Sequence, residues 1–400
     1  MLIVKKFGGT SVGTPERILR VAERCAKEYK NGNDVIMVLS AMDQTTDVLL
    51  DLAKQVNPEP PKRELDALLT TGEQTSVALM AMALDGMGVP AISLNAFQVA
   101  MHSTNEYQNA RLLKIETERI RHELDGRKVV IVTGFQGINK FGDFTTIGRG
   151  GSDTTAVAIA AAMHADACEI YTDVDGVYTA DPRIVPGARK KQEITYDEML
   201  ELASIGAQVL HNRSVELAKK YGVTLVVRSS LNESQGTYVK EEATMENMLV
   251  SGVAADKNTA RITVVGVKDE PGSEFKIFDL LANNSVNVDA ILQTAAYDGK
   301  KDVSFIVGRD FTKKAIDLLE ANKARIQAAE IQMDDTLAKV SVVGAGIQSN
   351  PGVAATMFEA LYNEGINIKL TATSEIRITV LVDERDMERA VRAVHTAMIG

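Results

Sequence analysis

Cysteine is scarce in this chain of 400 residues: Cys25 and Cys168 are its two, far apart and in no metal-ligand spacing. That count argues against a disulfide scaffold and for a reducing compartment. Histidine is scarce as well. The five (His102, His122, His164, His211 and His395) are scattered, which argues against a structural zinc site. No stretch reaches the roughly 18 unbroken apolar residues of a membrane helix. The opening Met1-Leu2-Ile3-Val4-Lys5-Lys6 lacks the basic, apolar and small-residue order of a secretory signal. An excess of positive charge is missing too. The net charge is −10, a field that repels nucleic acid and anionic membrane surfaces. The expectation is a soluble cytoplasmic protein with neither nucleic acid nor membrane as partner. If its ligands are anions, individual Lys and Arg residues in glycine-rich loops must supply the opposing charge.

What is present is ordinary for a globular protein. Hydrophobic residues make up 45% and charged residues 24%, and the length suits two or three domains. Apolar runs at 2–4, 35–39, 91–94, 129–132, 167–172 and 224–228 read as strands. Helical spacing covers 17–29, 65–85, 115–124 and 155–164. Continuous apolar runs alternating with helices predict an α/β fold, a mainly parallel sheet covered on both faces. Its ligands would bind beyond the carboxyl ends of the strands. The pattern loosens over 233–248. After it, Ile262 to Gly266, Pro271-Gly272 and Val286-Asn287-Val288 recur as Val340 to Gly344, Pro351-Gly352 and Ile366-Asn367-Ile368. Phe278 and Phe358, and Leu281 and Leu361, take equivalent places. A βαββα unit of this length, stated twice, indicates duplicated domains rather than a solenoid.

Five polar clusters carry the chemistry. Lys6-Phe7-Gly8-Gly9-Thr10-Ser11 sits where a strand meets a helix, the place where glycine lets a phosphate approach the backbone and a Lys neutralises transferring charge. Read alone it is an ordinary turn. Gly148-Arg149-Gly150-Gly151-Ser152-Asp153 opens a helix, and its Arg has no capping role, so it is free to grip a carboxylate. Thr172-Asp173-Val174-Asp175-Gly176-Val177-Tyr178 with Arg183 suits a nucleotide, Tyr178 toward the base and Arg183 toward phosphates. Ser40 to Asp47 and Thr70-Thr71-Gly72-Glu73 offer hydroxyls and one carboxylate for a zwitterion, although singly each reads as a cap or an exposed turn.

Together, and in this order, these clusters resemble the aspartate kinases of the amino acid kinase family across essentially the whole chain. The resemblance implies a three-layer αβα kinase domain over residues 1–245 and two α+β ACT domains of βαββαβ type. These would cover 246–332 and 333–400, interlocked through a strand near 249–254. It implies Lys6 and Asp153 as the catalytic pair, and Ser40, Thr46, Glu73, Arg149 and Ser152 around aspartate. Lys6, Gly8, Gly9, Thr172, Asp173, Tyr178 and Arg183 would line the site for Mg-ATP, with Gln208 and Val209 as weaker contacts. Many members carry Lys where this chain has Gln208. No protein ligand for a metal is implied. The effector sites implied are Asp269, Pro271, Gly272, Gln293 and Thr294 in one module. The other module would contribute Ser349, Asn350, Pro351, Gly352, Val353, Asn367, Ile368, Thr373, Ser374 and Glu375. Lysine and threonine are the implied effectors, and a homodimer or higher homo-oligomer through the ACT domains the implied assembly.

Gly344-Ala345-Gly346 imitates a dinucleotide fingerprint but lacks its third glycine and the βαβ unit. The Walker pattern and the protein-kinase catalytic-loop and D-F-G signatures are absent. Two alternatives stay open at this level: a kinase of the same fold with another small acceptor, and an amino-acid sensor without turnover.

Overall fold

The computed structural model describes residues 1–206, 209–243, 249–347 and 349–400. It divides into two compact units. One comprises Met1–Tyr178, Lys190–Ser204 and Gln208–Glu246, the other Thr179–Arg189, Ile205–Ala207 and Asn247–Gly400.

The first unit is built on an eight-stranded sheet. From one edge its order is Glu193–Thr195, Thr237–Lys240, Leu225–Ser229, Ala167–Thr172, Leu2–Phe7, Asp34–Leu39, Val129–Thr133 and Ala91–Leu94. Neighbours pair in parallel except Thr237–Lys240, which runs against Leu225–Ser229. The strand Val129–Thr133 is buried at every position, as an apolar run covered on both faces must be. On one face, Phe7, Val35, Met37 and Leu39 pack with Ile18, Val21 and Cys25 of the helix Pro15–Lys30 and Val77, Met80 and Leu84 of Lys62–Gly86. The helix Gly151–Met163 packs on the strands Leu2–Phe7 and Asp34–Leu39. Alternation along Leu2–Phe7 therefore turns Lys5 and Lys6 to opposite faces. The helix Pro15–Lys30 starts where the sequence signals it: Thr14 Oγ1 accepts the Arg17 N–H at 3.3 Å, and Pro15 fills the first turn.

Three local expectations change. Residues 112–115 form a strand, and the helix expected from 115 is Glu118–Asp125. The strand belongs to a four-stranded sheet of Leu112–Ile115, Met101–Ser103, Gln136–Ile138 and Phe144–Thr146. Its strands of three or four residues are too short to show a period. Thr70 to Glu73 form no turn; they lie inside Lys62–Gly86, where apolar residues on either side keep the helical register. A helix at Thr45–Val56 is also unexpected, although Val48, Leu49, Leu52 and Val56 recur at helical spacing; none of its residues is buried.

In the second unit, the repeat forms two four-stranded sheets. One orders Asp289–Gln293, Lys300–Val307, Ala260–Lys268 and Glu330–Asp334; the other Gly252–Asp256, Leu337–Val343, Arg377–Asp383 and Leu370–Thr373. The strand Gly252–Asp256 thus pairs with Leu337–Val343, from the later half of the chain. A boundary at 332/333 would cut Glu330–Asp334, which completes the earlier sheet by pairing with Ala260–Lys268. Leu281 and Leu361 are both fully buried, each in its own core. Gly272 and Gly352, with φ of +94° and +106°, start the helices Ser273–Asn283 and Val353–Asn363, so the duplicated Pro-Gly marks the same left-handed corner twice. Ile306, Leu337 and Leu381 form a small core of their own in this unit. The segment Thr179–Arg189 lies here rather than with the residues on either side of it. Ala180 and Val185 are buried among Val253, Val340 and Val394, and Thr179 Oγ1 lies 2.9 Å from His395 Nε2.

Candidate active site

Lys6 is the penultimate residue of the strand Leu2–Phe7, and its Nζ lies 2.6 Å from Asp153 Oδ1, an ion pair with both side chains largely out of water. The strand Ala167–Thr172 runs beside it, so Thr172 and Asp173 emerge at the same sheet edge as Gly8 and Gly9. Gly9 is required by packing: a Cβ there would stand 2.6 Å from the Ala41 carbonyl oxygen. The loop after the strand Asp34–Leu39 therefore closes directly onto the Gly-Gly turn, with Asp43 N–H donating to Gly9 O at 3.1 Å. Asp43 takes a positive φ of +40° to do so.

Gly150, with φ +69°, begins the helix Gly151–Met163, and any side chain there would strike the His211 ring. The corner directs the helix N-terminus into the cleft, with Ser152 and Asp153 in its first turn, where amide N–H groups and the helix dipole favour an anion. Ser40 Oγ donates to Ser152 Oγ at 2.9 Å. Arg149 is exposed beside them and has no ion-pair partner among the described residues.

These parts line a single cleft of about 330 Å3, whose walls include Lys6, Gly8, Gly9, Ser40, Asp43, Thr46, Glu73, Phe135, Arg149, Ser152 and Asp153. Its size is at the lower end of small-molecule sites, roughly 300–1,000 Å3. Every residue expected around the amino acid is brought here, together with the Lys6–Asp153 pair and both glycines.

The remaining nucleotide candidates are not in this lining. Thr172 Oγ1 donates to Asp173 Oδ1 at 2.9 Å, and Tyr178 OH to Asp175 Oδ1 at 2.8 Å. Arg183 is turned onto Asp181, Nη2 to Oδ2 at 2.7 Å, and belongs to the second unit. Val209 is half-buried in a turn, and Gln208 lies outside the described residues. Among the effector candidates, Asp269 pairs with Lys301 at 2.8 Å, and Glu274 of the first helical turn pairs with the same Lys at 2.5 Å. Thr294 N–H donates to the Asp302 carbonyl at 3.0 Å. Gln293 ends an edge strand. Pro271 and Gly272 form the first Pro-Gly corner, and Ser349, Asn350, Pro351, Gly352 and Val353 surround the second, where Asn350 Nδ2 donates to Gly346 O at 2.8 Å. Asn367 and Ile368 precede the edge strand Leu370–Thr373, which ends at Thr373, and Ser374 and Glu375 turn toward Arg377.

Several supporting residues were not legible in the sequence. Asp66, fully buried, accepts the N–H groups of Gln108 and Thr146 and the Thr146 hydroxyl, each at 2.9 Å. Arg213 donates to the carbonyls of Ile147 at 3.0 Å and Ala110 at 2.8 Å. Both anchor the segment that leads into Arg149. Burial pushes the Glu73 carboxyl up to about 7, against the downward pull of its hydrogen bonds from backbone N–H groups and the Gln136 amide.

The profile of the Amino acid kinase family matches residues 1–229, more than half the chain. The chain belongs to the amino acid kinase family. Within that family its full-length relatives are aspartokinases. An "Aspartokinase" of Bacillus sp. (strain MGA3) is 53% identical over 99% of this chain and 97% of its own length. An ACT domain profile matches residues 340–398. Among solved members of the amino acid kinase family, E. coli aspartokinase III in complex with aspartate and ADP (R-state) superposes with a TM-score of 0.84 at 25% identity, covering all of both chains. The same enzyme in complex with lysine and aspartate (T-state) gives a TM-score of 0.79 at 26% identity, again over all of both chains.

Proposed function

We propose that this chain is an aspartate kinase: it transfers the γ-phosphoryl group of ATP to the side-chain carboxylate of L-aspartate, giving 4-phospho-L-aspartate and ADP. The observation that carries this reading is the convergence of Lys6, Asp153, Arg149, Ser40, Ser152 and Glu73 on one cleft. Aspartate offers two carboxylates and one ammonium. Arg149 and the Ser40–Ser152 hydroxyls suit a carboxylate, and Glu73 suits the ammonium. Aspartate and ADP, named with the E. coli relative, are the acceptor and product this reading assigns.

The acceptor carboxylate is ionised at neutral pH, so no general base is needed to activate it. Catalysis then rests on alignment and on neutralising the charge of the transferring group. Lys6 sits where that charge develops, and Asp153 holds its ammonium in place. The free N–H groups at the start of Gly151–Met163 and the Gly8-Gly9 backbone receive phosphate oxygens. Thr172, Asp173 and Tyr178, with Arg183, Gln208 and Val209, are the proposed nucleotide contacts. Among the described residues no three carboxylate or imidazole groups converge on a point. Mg2+ would accompany the nucleotide as Mg-ATP and help neutralise its phosphate charge.

The reading extends to regulation. The reaction is the first step toward lysine, threonine and methionine. Lysine, threonine or both lower the rate by binding an inactive arrangement more tightly through the ACT domains, in a cytoplasmic homodimer or higher homo-oligomer. Lysine is the effector named with the E. coli relative. A coupled ADP-release assay tests both halves, using Mg-ATP with L-aspartate, L-glutamate, N-acetylglutamate or UMP, with and without lysine plus threonine. Turnover on aspartate alone, suppressed by the effectors, is expected. Turnover on another acceptor would overturn the substrate, and effector binding without turnover would favour a sensor.

A further inference from the structure

We propose that Arg213 is a positioning residue for the acceptor: its guanidinium, together with the Asp66 carboxylate, clamps the ribbon that carries Arg149 and so sets the direction from which Arg149 meets the acceptor's carboxylate. The inference rests on the reading above, that Arg149 grips that carboxylate.

The Arg149 side chain is exposed and has no ion-pair partner among the described residues. Its direction is therefore left to the backbone beneath it. That backbone is intrinsically loose, because Arg149 stands between Gly148 and Gly150, with φ of +84° and +69°. A loop of this composition samples many directions unless other parts of the fold restrain it.

The restraints come from residues remote in sequence. Two residues before Arg149, the Ile147 carbonyl accepts a hydrogen bond from Arg213 Nη1 at 3.0 Å, and Nη2 of the same guanidinium donates to the Ala110 carbonyl at 2.8 Å. Ala110 N–H in turn donates to the Thr146 carbonyl at 2.9 Å. Asp66 ties the same two segments a second time: it accepts the N–H groups of Gln108 and Thr146 and the Thr146 hydroxyl, each at 2.9 Å. A cation thus takes the carbonyls and an anion the N–H groups of one pair of segments, each bond assisted by charge. Ile147 and Ala110 are both buried, so water is a poor substitute for the guanidinium there. The planar fork of an Arg reaches two carbonyls in one fixed geometry, which a Lys ammonium does not.

The far side of Arg149 is held from the same place. A Cβ at Gly148 would stand 3.1 Å from the Gln108 carbonyl oxygen, and one at Gly150 would strike the His211 ring. His211 is the N-cap of the helix Asn212–Tyr221, and Arg213 is the second residue of that helix. One helix start therefore meets the ribbon both before and after Arg149. Arg213 itself is absent from the cleft lining, so it acts on the acceptor only through the residue it positions.

The test measures kcat and the KM for L-aspartate and for Mg-ATP, with thermal midpoints. The proteins are the unmodified chain, Arg213→Met, Arg213→Lys, Arg149→Ala and the double variant Arg149→Ala with Arg213→Met. Arg213→Met keeps the apolar stem and removes the donors. It is expected to raise the aspartate KM about tenfold, the equivalent of one lost charge-assisted hydrogen bond, with the KM for ATP changed by less than about twofold. Arg213→Lys recovers part of the loss. With Arg149 already replaced by Ala, Arg213→Met should add less than about twofold, because the residue it positions is gone. The same factor in both backgrounds overturns the inference. So does an unchanged aspartate KM in folded Arg213→Met, or an equal rise in both KM values, which marks a structural role. If Arg213→Met does not fold, Arg213→Lys with and without Arg149→Ala decides the question in the same way. An aspartate KM that Arg149→Ala leaves unchanged would overturn the reading of Arg149, and the inference with it. Where Arg149→Ala does raise that KM, failure falls on Arg213 alone.

Discussion

Removing the carboxylate of Glu169 is expected to be among the costliest single changes in the first unit, although it touches no residue of the cleft. Lys5 is on the opposite face of the strand from Lys6, with its side chain 1% exposed. Its Nζ lies 2.5 Å from Glu169 Oε2 and 3.4 Å from Glu28 Oε1, and it donates to the Tyr171 hydroxyl at 3.3 Å. Glu169, 8% exposed, also receives the Tyr171 hydroxyl at 2.8 Å and pairs with Arg228 Nε at 3.1 Å. Burial alone would lower the Lys5 pKa, but Tyr171 and Glu169 more than offset it and hold it above its ordinary value. Glu169→Gln leaves a buried ammonium whose remaining partners are the longer, part-exposed Glu28 carboxylate and the neutral Tyr171 hydroxyl. Breaking a buried pair costs about 3–5 kcal/mol. The surviving Glu28 and Tyr171 contacts put this case near about 3 kcal/mol, a fall of roughly 6–12 °C in the midpoint of a unit this size. Lys5→Met should cost less, because Glu169 keeps Arg228 and Tyr171 and the methionine fills the space. The double variant should cost less than the sum, since no uncompensated charge remains. Thermal or urea unfolding of the four proteins measures this. Additivity within about 0.5 kcal/mol, or a Glu169→Gln cost below about 1 kcal/mol, the level of an exposed pair, would refute the reasoning.

Lys6→Ala should lower kcat by about 100-fold or more with the fold intact, and should also lower the thermal midpoint, because Asp153 is left without its partner largely out of water; steady-state kinetics and calorimetry read both. Arg149→Ala should chiefly raise the aspartate KM, by about 10–100-fold for the loss of a charge-assisted contact; an unchanged KM would break the substrate pose. Glu73→Gln should separate stability from function. A carboxyl whose folded pKa is raised opposes folding above its unfolded value, near 4.5, and in full above about 7. At pH 8 the substitution therefore removes a penalty of about 3 kcal/mol at most and raises the thermal midpoint, while aspartate binding is lost. Below pH 4.5 the stabilisation should vanish; a midpoint gain that persists there would show that it has another origin.

Parts of this protein are local and were open to sequence reading. The buried strands Asp34–Leu39 and Val129–Thr133 are continuous apolar runs because both of their faces are covered. The repeat is visible because the same left-handed corner recurs at Gly272 and Gly352. Lys6-Phe7-Gly8-Gly9 and Gly148 to Asp153 stand out because close backbone approach demands glycine, and a cation there has no structural duty. The helical spacing over 65–85 already contains Thr70 to Glu73, and the resemblance already implies that a strand near 249–254 links the two modules. Length and composition could not reveal that 179–189 packs with the second unit, because that depends on partners remote in sequence.

The supporting shell is the part that only tertiary structure decided. Asp66 and Arg213 carry no motif, and as isolated letters they are unremarkable polar residues. Their roles come from burial, which makes every polar atom find a partner, and from a fold that brings distant partners within 3 Å. Sequence by itself determined which residues have chemistry to offer and where the chain must turn. Tertiary structure decided which of them share one small volume out of water, and there burial sets the charge of Glu73, which its position in the chain could not.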